Sequence, residues 1–192
     1  MTDTPETASS SPTPLSIRMA GMLFPLLVDH AKKQQLVTYG DLTKQAKAQH
    51  RDHPEVQNMI PVSMGHKLDV VRTYCLKNQL PDLASIAVNQ DTRAPGESYV
   101  AKADAIRLQQ EVFAFDWKSR AVEFNEHLAQ EKKRTRKLIE RSERDALAIM
   151  RKYYEANKAQ LPANIVTYRE AIVTLLEKGH DAEDAFEMAL EG

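Results

Sequence analysis

The residues able to do chemistry in this chain are few, and most stand alone. Six histidines (His30, His50, His53, His66, His127 and His180) include no HxH or HxxxH pair beside a carboxylate at metal-ligand spacing. His50 and His53 lie three apart in a polar connection, and their reading as solvated residues outweighs a metal site. The single cysteine, Cys75, excludes an internal disulfide and any cysteine-based zinc cluster. It falls on the apolar face of a helical pattern, where an inert core thiol is expected rather than a nucleophile. No GxxxxGK[ST], GxGxxG or GxSxG string occurs, so no cofactor is expected. Carboxylates scattered through a sequence leave no linear trace, so an enzyme with a non-linear site stays open as the weakest reading.

Basic residues are the more informative set. Lys132, Lys133, Arg134, Arg136 and Lys137, continued by Arg141 and Arg144, spread around a helix as a collar suited to phosphate contact. Glu131, Glu140, Glu143 and Asp145 lie among them at ion-pair spacings such as Glu140 to Arg144, which equally describes a solvated connecting helix. A second set, Ser63, His66, Lys67, Arg72 and Lys77, shares one helical segment and offers groups that contact base edges or phosphates. Arg93 joins it from a polar loop tip.

The elements that must position these groups are mainly helical. The chain has 192 residues, 42% hydrophobic and 28% charged, with six glycines and a formal net charge of -1. This is a globular composition without a global basic field. Residues 1–14 are Ser/Thr/Pro-rich and read as a disordered tail. The polar start predicts no secretory leader, the apolar run Met19 to Val28 is too short to span a bilayer, and a cytoplasmic location is expected.

Helical spacing begins near Leu15, with Ser16 a candidate N-cap and Pro25 a site for a kink or for two abutting helices. A short extended piece, Leu36 to Thr38, precedes a helix capped by Thr38 or Asp41. Ser63 reads as the N-cap of a helix through Lys77, burying Met64, Leu68, Val71 and Cys75. Leu83 to Val88 and Ser98 to Val100 read as a hairpin with a long polar tip. Helical spacing returns from Ala103 to Trp117. One or two charged helices span 118–158, and an acidic amphipathic pair closes the chain, bounded by Asn164, Gly179 as a C′ residue and the cap Asp181. Tyr153 and Tyr154 are expected to pack on that pair, whose acidity suits oligomerisation or docking on a basic partner such as another subunit's collar.

The order helix, extended piece, helix, helix, hairpin is that of a winged helix, whose third helix enters the major groove. The string Leu36-Val37-Thr38-Tyr39-Gly40-Asp41-Leu42 resembles the approach to the winged helix of the DNA alkyltransferase and alkyltransferase-like family. Leu80 to Asn89 (LPDLASIAVN), Pro95-Gly96-Glu97 and Phe115-Asp116-Trp117 are similar to strings of bacterial and phage proteins that share that approach. The resemblance covers roughly Leu15 to Trp117 and implies a DNA-associated scaffold. It implies no alkyl transfer, because the family's Pro-Cys-His-Arg string is absent.

The sequence thus predicts a mainly α protein. Its parts are a winged-helix-like domain (15–117), a charged connection (118–158) and a small acidic helical region (159–192). The favoured function is DNA binding, as a regulator or recognition subunit of a bacterial or phage system, through the second basic set, Arg93 and the collar. The alternative is a protein-interaction adaptor that touches no nucleic acid.

Overall fold

The computed structural model describes residues 12–96, 102–118, 120–133 and 138–191. The chain is mainly α, with a two-residue strand pair as its sole sheet among the described residues. Helix α1 (Pro14–Lys32) starts where Thr13 Oγ1 accepts the Ser16 amide at 3.1 Å, with Pro14 in the first turn, whose missing N–H costs nothing there. Thr13 is therefore the N-cap, and Ser16 is a buried residue of the helix. Of the kink or two abutting helices expected at Pro25, the second does not occur. The ring faces solvent, and α1 runs through it as one helix because its opposite side is fully packed.

Strand β1 (Val37–Thr38) leads into α2 (Tyr39–Gln49), capped by Thr38, whose Oγ1 accepts from the Asp41 amide at 3.0 Å. A short helix α3 (Pro54–Gln57) and a 3₁₀ turn (Pro61–Ser63) follow, then α4 (Met64–Lys77). The expected hairpin is corrected here. Leu83–Ile86 forms a 3₁₀ turn, and only Ala87–Val88 is a strand, β2, which pairs in parallel with β1 in the register Val37 to Ala87 and Thr38 to Val88. A crossover through helices separates the two strands, and such a connection brings them together in parallel. Ser98 to Val100, the other half of the expected hairpin, lie outside the described residues.

Helix α5 (Lys102–Ala114) ends near Trp117, whose buried indole donates to the Val112 carbonyl at 2.9 Å. The charged connection is two helices, α6 (Arg120–Lys132) and α7 (Glu143–Asn157). They belong to different cores. Phe124 and Leu128 of α6 pack into the first core with α1, α2 and α4. Ala146 of α7 joins the second, built with α8 (Arg169–Glu177) and α9 (Ala182–Met188). Ile60, from the connection before α4, is buried in the second core, so the two units share a seam.

Gly179 ends α8 with φ 94°, a left-handed conformation that favours glycine. Arg141 closes the same helix end by donating to the carbonyls of Leu176 and His180, at 3.0 and 2.6 Å. A Cβ on residue 179 would lie 2.5 Å from the Ile139 carbonyl oxygen, a backbone atom with no room to move. Gly179→Ala should therefore destabilise the chain by at least about 1–2 kcal/mol, the left-handed strain alone. Urea unfolding reads this, and an unchanged midpoint would refute the assignment.

Candidate functional site

Helix α4 carries the residues expected to meet DNA, and the structure places them inward or in ion pairs. Lys67 is 1% exposed, and its Nζ lies 2.9 Å from Glu187 Oε2 of α9. The same ammonium donates to the Ser63 carbonyl and to Ser63 Oγ, both at 2.9 Å. Glu187 Oε1 accepts from the Ile60 amide at 3.0 Å and lies in hydrogen-bonding contact with the Ser63 hydroxyl, itself fully buried. His66 Nδ1 sits 3.2 Å from Glu183 of the same helix α9. Burial pushes the Glu183 carboxyl above its usual range, while His66 and Lys67 draw it down.

The exposed recognition face expected from sequence is thus corrected at Ser63 and Lys67. The acidic C-terminal helix covers them, because a buried ammonium needs an anion and α9 supplies one. Arg72 and Lys77 are engaged further along, with Asp82 at 3.4 Å and Glu131 at 3.1 Å. The carboxylates that complete this arrangement, Glu183 and Glu187, were read from sequence only as part of an acidic end. Their four-residue spacing, matching that of Ser63 and Lys67, was the available signal.

Arg93 stands exposed at the loop tip, left-handed at φ 52°. It faces Asp41, whose carboxyl is held below its usual range first by the Thr38 hydroxyl, then by Lys44 and Arg93. Of the collar, Lys132 and Lys133 are exposed at the end of α6, and Arg134, Arg136 and Lys137 lie outside the described residues. The ion pair of Lys77 with Glu131, the neighbour of Lys132, sets the end of α4 beside the described start of the collar.

Cys75 is fully buried, and its thiol is pushed up to about 12, chiefly by burial and further by the Asp82 carboxylate, against a hydrogen bond at Leu83. A thiol so protonated is a poor nucleophile. With a disulfide reagent such as DTNB, Cys75 should react only once denaturant is added. Complete reaction of the native chain within minutes would overturn this.

An open apolar feature lies on the second unit. A groove of about 340 Å³ runs between α7 and the 3₁₀ turn Ile165–Tyr168 that leads into α8. Leu147, Met150 and Tyr154 of α7 form one wall, Ile165, Val166 and Ile172 the other, and Phe186 of α9 closes the base. Phe186 is fixed there by Tyr153, ring centroids 4.8 Å apart, as the expected packing of the tyrosines on the acidic helices requires. Val166 is 59% exposed, an apolar side chain left to solvent. Arg151 and Arg169 stand at the rim, both exposed.

Among the described residues no cluster of three His, Cys, Asp or Glu side chains is placed to hold a metal ion, and His50 and His53 pack ring against ring at 5.8 Å. No helix among them is long and apolar enough to cross a membrane. Comparison with protein-family models, curated proteins and solved structures finds no match in any of the three.

Proposed function

We propose that this chain is a non-catalytic protein-interaction adaptor, with the α1–α6 unit as scaffold and the α7–α9 unit as the receiving surface. The observation that carries the reading is the open groove between α7 and the turn into α8, apolar in its walls and base and flanked by unburied guanidinium groups. Apolar concavities with a few polar groups at the rim are the usual form of a binding site. The reading places the adaptor in the cytoplasm, where a lone thiol stays reduced.

The occupied α4 face argues in the same direction. Groups already satisfied by buried carboxylates have little to gain from phosphate, so DNA binding is left with the collar and Arg93. Two measurements separate the readings. Random peptides displayed and selected on the immobilised chain should yield binders that lose affinity when Val166→Glu places a carboxylate in the groove. The chain should show no affinity for short duplex DNA at about 50 mM salt, where phosphate contacts are strongest. The adaptor reading fails if selection enriches nothing or Val166→Glu binds equally well. Duplex binding that weakens steeply with salt and disappears in Lys132→Ala/Lys133→Ala would restore the nucleic-acid reading.

A further inference from the structure

Resting on the adaptor reading, we infer that the groove's occupant is a short amphipathic helix of a partner protein whose apolar stripe is flanked by Asp or Glu. Three observations select it. The α7 lining falls at 147, 150, 151 and 154, one face of a helix over two turns or about 10 Å. That length matches the i, i+3 or i+4, i+7 anchors by which a docked helix fills a groove. The groove is a trough rather than an enclosed chamber, since Val166 at its edge is 59% exposed.

The charge at the rim sets the sign of the flanks. Arg151 rises from α7 and Arg169 from the start of α8, so the groove has a guanidinium on each side. No carboxylate lies within ion-pairing distance of either among the described residues. Glu155, one turn beyond Arg151, is held instead by Lys158 at 3.3 Å. Guanidinium forks bind carboxylates in pairs of parallel hydrogen bonds, so a helix with acidic residues beside its apolar stripe satisfies both arginines while its anchors fill the trough. A basic helix would instead meet two positive charges in a partly desolvated rim.

The test uses the full chain and three fluorescein-labelled peptides of about 16 residues, long enough to form a helix. One carries the apolar stripe with acidic flanks, the second the same stripe with lysine flanks, and the third the acidic composition with the stripe scrambled. Anisotropy titrations should show the acidic amphipathic peptide binding at least about tenfold more tightly than either of the others, a difference of about 1.4 kcal/mol. Arg151→Glu/Arg169→Glu should invert the preference between acidic and lysine-flanked peptides. Both positions are exposed, and an unchanged thermal transition shows that this variant is folded.

Equal binding of acidic and lysine-flanked peptides, abolished by Val166→Glu, would overturn the inference and leave the adaptor reading standing. Binding of the scrambled peptide as tightly as the amphipathic one would overturn it as non-specific charge attraction. Absence of binding by all three would overturn both the inference and the reading beneath it.

Discussion

Lys67→Met and Glu187→Gln, made singly, should each lower the stability of the chain by about 3–5 kcal/mol, and the two together should cost less than the sum. Both side chains are buried, at 1% and 3% exposure, and their atoms meet at 2.9 Å. Removing the ammonium leaves a carboxylate in a low-dielectric seam, hydrogen-bonded by the Ile60 amide and the Ser63 hydroxyl and facing the half-buried Lys47 as its remaining nearby cation. Neutralising the carboxylate leaves an ammonium whose remaining acceptors are the carbonyl and hydroxyl of Ser63. Each single change therefore strands a charge.

The double variant strands none, and the side-chain amide introduced by Glu187→Gln keeps a carbonyl for Ile60 and Ser63, so much of the loss returns. For a chain of this length the single losses correspond to roughly 6–20 °C in Tm. Urea unfolding of all four proteins gives the cycle. Single losses under about 1 kcal/mol, or strict additivity, would show that the pair does not lock α9 onto α4. The same cycle bears on function, because a face held by that much internal free energy is not displaced by a weak phosphate contact.

The helices were legible because their signals are local. Thr38 and Gly179 mark ends by their own chemistry, and the apolar spacing of Met64, Leu68, Val71 and Cys75 names the buried side of α4. The pairing of β2 was not legible. Leu83 to Val88 has strand-like residue types, but the partner of its strand is Val37–Thr38, far earlier in the chain, and no turn chemistry records that register. The burial of Lys67 was hidden for a similar reason. Position 67 lies three residues after Met64 and four before Val71, on the flank of the apolar stripe, where a lysine ordinarily reaches out to water, and it is the acidic α9, from the far end of the chain, that turns it into core. The groove was invisible in sequence as well. Tyr154 reads as an ordinary packing position, and only the placement of α8 and the turn before it leaves Leu147, Met150 and Tyr154 partly uncovered.

Phe24→Ala should remove about 3–5 kcal/mol from the first unit, toward the upper end of that range. Phe24 is fully buried and lies where α1 meets α4, α6 and the segment after α5. Its ring stacks on Phe124 at 4.0 Å with planes 14° apart, and meets Tyr74 and Trp117 edge-on at 5.8 and 6.4 Å. Truncation leaves a cavity with three aromatic walls, each contact worth about 0.5–1.5 kcal/mol beyond the buried area. Rings anchored on α4, α6 and the segment after α5 cannot collapse into it without moving those elements. Phe24→Leu, which fills most of the space, should lose clearly less.

Near-ultraviolet circular dichroism and thermal unfolding of both variants read this directly, and a loss below about 1 kcal/mol for Phe24→Ala would sink the assignment of Phe24 as the keystone of the first core. The comparison also tests how the units are coupled. The groove belongs to the second core, so Phe24→Ala should leave peptide affinity within about twofold at temperatures where the chain remains folded, a change of about 0.4 kcal/mol. Loss of peptide binding in a still-folded Phe24→Ala would instead mean that the seam of Ile60, Lys67 and Glu187 transmits the disorder of one core into the other.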